Sequence, residues 1–139
     1  MTPAFVLDSS VTMAWCFGDE FTPATAKLQD QLIDAAAIVP PHWPLEVINV
    51  LRTAEKRRRI SVADSQLFVQ SLRASAIQID DGFSNQAFDH CFALCRAHGL
   101  TSYDAAYLEL ALRQQLPLAS LDDDLRRVAK QLGVKVLGK

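Results

Sequence analysis

Hydrophobic positions along this chain follow two rhythms. Short apolar runs, rich in β-favouring residues, occur at AFVL (4–7), AIV (37–39), IQI (77–79), PLAS (117–120) and VKVL (134–137). Each is too brief for a helix and reads as a strand. Between them apolar residues return every three or four positions, as on one face of a helix. SSVTMAWCF follows the first run, and TPATAKLQDQLIDAA follows a DEF loop. PLEVINVLRTAEKRRR and SVADSQLFVQSLRAS come next, divided at Ile60–Ser61. SNQAFDHCFALCRAHG ends at Gly99, TSYDAAYLELALRQQ ends before Pro117, and DDDLRRVAKQLG ends at Gly133. Short strands separated by helices predict right-handed crossovers and a sheet covered on both faces. The expected fold is a three-layer α/β/α domain around a parallel sheet of about five short strands. No linker, repeat or low-complexity tract interrupts residues 1–139, so one domain is expected.

Composition narrows the class without naming it. Half of the 139 residues are hydrophobic and 22% are charged, as in ordinary globular proteins. No apolar run is long enough to span a bilayer, and no basic region precedes the first apolar segment as in a secretory signal. The expected location is therefore the cytoplasm, and three cysteines fit reduced thiols better than a disulfide framework.

Ligands of such folds bind beyond the carboxyl ends of the strands, so acids placed there are the candidates. Asp8 ends the first strand, in FVLDSS, and Asp122 follows the fourth, in LASLDDDL. Both are also good N-cap positions. Asp104 lies in the first turn of its helix, where Thr101 can cap and Asp104 can complete a capping box. Glu46 stands apart: it sits in a nearly all-apolar helix, WPLEVINVL, with Pro44 suited to the first position. No Lys or Arg lies one turn away. Position 50 is Val50, His42 precedes the helix, and Asn49 can only hydrogen-bond it. Four carboxylates in one crevice would repel and raise one another's pKa, an arrangement that makes sense around a hard cation such as Mg²⁺ or Mn²⁺. No GxxxxGK[ST] loop, no GxGxxG fingerprint and no lysine at 117–122 of the phospho-acceptor kind is present.

At these residues the chain resembles the PIN-domain ribonucleases of the VapC toxin type. LDSSV, WPLEVINVLRTAEKRRRI, LTSYDAAYLELALRQQLPLASLDDDL and AKQLGVKVL run in the family's order over most of the sequence, Leu100 to Leu125 being the most specific block. The resemblance implies that Asp8, Glu46, Asp104 and Asp122 are catalytic acids holding Mg²⁺ or Mn²⁺. Ser10 matches the family's D-x-S hydroxyl, Asn49 its polar helix neighbour and Ser120 the hydroxyl before the last acid, with Asp124 as an extra. His42 departs from the pattern and is given no catalytic role. The implied reaction is hydrolysis of RNA phosphodiesters by metal-activated water. The implied partners are an RNA substrate, a small antitoxin whose basic tail occludes the site, and a second copy in a homodimer. Only Gly138 and Lys139 follow VKVL, so inhibition is expected in trans. The alternative is an α/β binding module whose acids are helix caps, or a catalytically silent PIN-like module that binds RNA or protein.

Charge changes this picture slightly. The net charge is −2, but setting four metal-bound acids aside leaves +2. Arg52, Lys56, Arg57, Arg58 and Arg59 then form a basic group, read either as a dipole-favoured helix end or as an RNA-backbone contact. Cys91, Cys95, His98 and nearby His90 superficially suggest zinc, yet no second Cys/His pair exists to close a site. With Phe88, Phe92 and Leu94 about them, the cysteines read as small core residues. Trp15, Phe17, Trp43, Tyr103 and Tyr107 read as core or interface, with the helices around Trp15 and Trp43 as candidate lining for an antitoxin groove.

Overall fold

A computed structural model describes the whole chain, Met1–Lys139. Five strands, β1 (Pro3–Leu7), β2 (Ala36–Val39), β3 (Ile77–Ile79), β4 (Leu118–Ala119) and β5 (Val136–Leu137), form one sheet in the order β3-β2-β1-β4-β5. Every pairing is parallel. Phe5, Val6 and Leu7 of the central strand are completely buried, and all of β2 is buried. These runs are apolar without alternation because both faces are covered. At the edge β3 has only three residues, and Ile79 is exposed.

Seven helices connect the strands: α1 (Ser9–Cys16), α2 (Pro23–Gln31), α3 (Trp43–Lys56), α4 (Val62–Ala74), α5 (Asn85–His98), α6 (Ser102–Gln114) and α7 (Asp123–Gln131). The chain winds outward from β1 through β2 to β3, then crosses back to lay β4 along the free side of β1. Right-handed crossovers place α1 to α4 on one face and α5 to α7 on the other. The packing agrees, with α1 against α2 and α3, and α6 against α5 and α7. The predicted α/β/α architecture is thus the observed one. Winding reverses between β1 and β4, and a crevice opens beyond their carboxyl ends. Asp8 donates its N–H to Ala119 O at 3.0 Å and Ser120 donates to Leu137 O at 3.1 Å. Those two bonds carry the ladder one residue beyond each strand and set Asp8 beside Ser120.

Two helices end earlier than their sequence pattern. The second was expected to run through Ala36 but stops at Gln31, because Ala36–Val39 are taken into β2. Its start is secured by a Thr22–Thr25 capping box, with Pro23 in the first turn. The third stops at Lys56, short of Arg59, because Arg58 adopts a left-handed backbone (φ 58°). Arg58 donates to Glu55 O and Arg59 to Ala54 O, closing the last turn. Nor is α3 sheathed in protein as its apolar sequence suggested: Leu45 (64% exposed) and Ile48 (56%) face solvent.

Candidate active site

Asp8 is 4% exposed at the end of β1. It occupies the N-cap position of α1 but makes no side-chain cap bond. Instead Oδ2 accepts hydroxyls from Ser10 and Ser120, both at 2.7 Å. Each serine is fixed in turn: Ser10 Oγ accepts the Leu121 N–H at 2.9 Å, and Ser120 Oγ accepts the Asp122 N–H at 3.1 Å. Oδ1 keeps only a 3.5 Å contact from Ser9. Burial pushes the Asp8 carboxyl above its ordinary range, the two hydroxyls oppose this, and the charges of Glu46 and Asp122 add to the rise.

Glu46 comes from α3, across the rim. Tyr107 of α6, completely buried, donates its hydroxyl to Glu46 Oε1 at 2.5 Å. His42 Nε2 lies 3.4 Å from the same oxygen, an electrostatic contact without hydrogen-bond geometry. The His42 ring packs against Tyr103 and Tyr107, with centroids 5.3 and 5.1 Å away. Burial disfavours the charge on Glu46, but His42 and the Tyr107 hydroxyl outweigh it and hold the carboxyl below its usual range. Oε2 is left free. Burial, reinforced by the charge of Asp8, keeps the Tyr107 phenol protonated. Tyr107 is the functional residue the sequence reading missed. Its only signal was position, three residues after Asp104 and so on the same helix face.

Asp104 opens α6, but the predicted capping box is only half present. Thr101 Oγ1 accepts the Asp104 N–H at 3.2 Å, while the Asp104 carboxylate makes no return bond. That carboxyl is pushed up to about 6, first by burial and then by the charges of Asp122, Asp8 and Glu46. Asp122 does act as a cap, with Oδ1 accepting the Leu125 N–H at 2.8 Å.

All four acids line one cleft of about 380 Å³. Two strand ends and two helices, one from each face of the sheet, bring them together at the reversal between β1 and β4. Ser10 lines the cleft as well, and Ser120 acts on it through Asp8. Asn49 does not join them; it lies in a separate surface depression with Thr53 and Arg57. Asp124 is also outside, exposed and 3.4 Å from Arg127. Of the basic group only Arg59 lines the cleft. It is clasped by Asp19 and Glu20, each at 2.8 Å, and lies 3.8 Å over the Phe17 ring. Arg52 pairs with Glu55 at 3.6 Å on another part of the surface. The cation that the acids imply can be tested against the donor set. Carboxylate oxygens are the donors a hard cation takes, but no three acid, His or Cys groups here stand close enough together to hold a metal as they are placed.

The cysteines hold no such cluster. Cys91 is buried, with its thiol pushed up to about 11 by burial. Phe88 and Phe92 do not enclose it but are exposed on the other side of α5, where Arg96 stacks on Phe92 at 3.8 Å. Trp43 is 8% exposed and donates to Thr12 Oγ1 at 3.0 Å, bracing α3 on α1. Trp15 is half-buried and bonded to Thr25 O at 2.8 Å.

The chain is thus a parallel α/β domain with four carboxylates gathered where its strand order reverses. The PIN domain model matches residues 5–131, and the chain belongs to the PIN-domain family, whose members are generally nucleases. It is similar in fold to the crystal structure of PAE2754 from Pyrobaculum aerophilum, with a TM-score of 0.69 and 21% identity. That likeness covers 96% of this chain and 83% of the other. No curated protein matches the sequence. No helix of the chain is long and apolar enough to cross a membrane.

Proposed function

We propose that this protein is a Mg²⁺- or Mn²⁺-dependent endoribonuclease and the toxin of a cytoplasmic toxin–antitoxin pair. The observation that carries the reading is the convergence of Asp8, Glu46, Asp104 and Asp122 on one cleft of a PIN-family fold. A divalent cation held by Asp8, Glu46, Asp104 and Asp122 would supply Lewis acidity, lowering the pKa of water so that hydroxide is available near neutral pH, and would shield the charge of the phosphate. The chain's own side chains bind and orient. Ser10 and Ser120 consume Asp8 Oδ2 and leave Oδ1 available. Tyr107 consumes Glu46 Oε1 and leaves Oε2. Hydrolysis would break the bond between phosphorus and the 3′ oxygen, giving a 5′-phosphate and a 3′-hydroxyl. An open acid cleft in the cell needs a partner that covers it. A guanidinium from an antitoxin tail could pair bidentately with these carboxylates and exclude the cation. Exposed Leu45, Ile48 and Tyr103 offer apolar surface for that tail or for a second copy in a homodimer.

The test is cleavage of a mixed RNA substrate by the purified chain, with and without Mn²⁺. It is paired with expression in cells with and without the neighbouring small gene. Metal-dependent cutting with new 5′-phosphates, and growth arrest relieved by the neighbour, are expected. Soluble, folded protein that neither cuts RNA nor slows growth would favour a binding module whose acids are structural.

A further inference from the structure

A cavity of about 750 Å³ opens next to the acid cleft and shares Phe17 and Arg59 with it as a common wall. Its volume is within the usual range for sites that take small organic groups, roughly 300–1,000 Å³. Phe17, Ile60 and Phe68 supply apolar surface, and the charged lining sets Arg58 and Arg59 against Asp19, Glu55 and Asp64. Arg58 sits at the helix C-terminus with φ 58°, a conformation open to glycine and unfavourable for any residue with a Cβ. Unlike Arg59, which is held by two carboxylates, the exposed Arg58 guanidinium takes part in no ion pair. The turn that closes α3 thus sets an unpaired arginine on the cavity's lining.

We infer that this cavity is a nucleobase subsite, adjacent to the cleaved phosphate and matched to guanine; the inference rests on the nuclease reading. Single-stranded RNA is read by splaying bases out, stacking them on aromatic rings and hydrogen-bonding their edges. Phe68 provides the ring, since Arg59 already covers a face of Phe17. Arg58 donates to guanine O6 and N7, the pairing an arginine fork makes best. Asp64 accepts from guanine N1–H and the N2 amine. Cytosine lacks the paired O6 and N7 acceptors and offers the carboxylate only one amine. The shared wall means a base seated here would leave its phosphate at the acids' side of Arg59.

The experiment titrates 5′-GMP and 5′-CMP into the full chain in metal-free buffer, following backbone amide signals by NMR. It then maps cleavage sites in a randomised RNA with Mn²⁺. GMP should shift Ser61, Val62 and Asp64 and bind about tenfold tighter than CMP, the scale of one charge-assisted contact. Arg58→Gly, which glycine's backbone freedom protects from misfolding, should melt no lower than wild type and lose that tenfold. Asp64→Asn, at an exposed site, should weaken GMP and leave CMP unchanged. Cuts by the wild type should flank guanine, and cuts by Arg58→Gly should lose the preference. GMP shifts that map elsewhere, or variants that bind as wild type does, overturn the subsite. So do signals that respond to an antitoxin peptide and to no nucleotide. Guanine-selective binding without any RNA cleavage would overturn the nuclease reading and leave the subsite standing. Cutting with no base preference and no GMP binding would do the reverse.

Discussion

Any residue at position 104 could supply the backbone N–H that Thr101 accepts, so the cap of α6 does not explain an aspartate there. The carboxyl instead shares a half-buried cleft with three other acids, and burial first, then their charges, push it up to about 6. Asp104→Asn should therefore lower RNA cleavage at least about 100-fold while the protein stays folded. The sign of its effect on stability follows from linkage. With the folded pKa raised, the native state holds its proton more tightly than the unfolded chain. Wild type therefore loses stability relative to the variant as pH rises from about 4 to about 6. In metal-free buffer the two should unfold alike below pH 4, with the variant ahead by about 1 kcal/mol above pH 6 once solvent screening is allowed for. Equal stability at all pH values would show that Asp104 is not crowded by the other acids. Tyr107→Phe removes the 2.5 Å bond that fixes Glu46 and should weaken Mn²⁺ binding by about tenfold, as loss of a ligand's supporting hydrogen bond usually does. Calorimetric titration with unchanged affinity would reduce Tyr107 to a packing residue.

Among the elements, α6 is the most heavily used, since one helix serves two charged networks. Its first two turns carry Asp104 and Tyr107. Its last turns carry Glu109 and Arg113, and Arg113 binds the Asp80 carboxylate with two nitrogens, at 2.6 and 3.1 Å, while also bonding Glu109 at 2.9 Å. Asp80 (5% exposed) and Glu109 (2%) are buried, so Arg113 alone neutralises two enclosed acids. Gly82 is glycine for this reason: a Cβ there would come within 2.6 Å of the Arg113 guanidinium. The network ties the segment after β3 to the end of α6 and so sets how α6 lies across the sheet. Arg113→Met should cost roughly 3–5 kcal/mol in urea unfolding, because it strands buried carboxylates. A loss under 1 kcal/mol would mean that water reaches the pair.

For the molecule as a whole, a cation bound among the acids would offset the burial and crowding that raise Asp8 and Asp104. A cation bound only by the native state stabilises it by RT ln(1 + [L]/Kd), about 2.7 kcal/mol at a hundred times Kd. For a domain of this size that is a melting-temperature rise on the order of 10 °C. Scanning calorimetry should show such a rise with Mn²⁺ or Mg²⁺, reduced in Asp8→Asn, Glu46→Gln and Asp122→Asn. A rise undiminished in all three variants would mean that the acids do not form one site. A larger rise with Zn²⁺, lost in Cys91→Ser, would shift attention to α5.

The hydrophobic rhythm alone determined the five strands, the seven helices and the parallel sheet, because strands buried on both faces must be continuously apolar and helices must be striped. It also placed Asp8, Asp104 and Asp122 at element ends and made Glu46 conspicuous on an apolar helix. Tertiary structure decided what distance along the chain conceals. Glu46 and Tyr107 are 61 residues apart, and Asp8 and Ser120 are 112 apart. No periodicity reports which side chains meet when helices from opposite faces converge on a strand reversal. Asn49 and Asp124 carried suitable chemistry, yet Asn49 lines a neighbouring depression and Asp124, two positions after Asp122, is exposed beside Arg127. The basic run showed the same limit. Five cations looked alike in sequence, but the left-handed turn at Arg58 sent Arg59 into the acid cleft and left Arg58 at the cavity beside it.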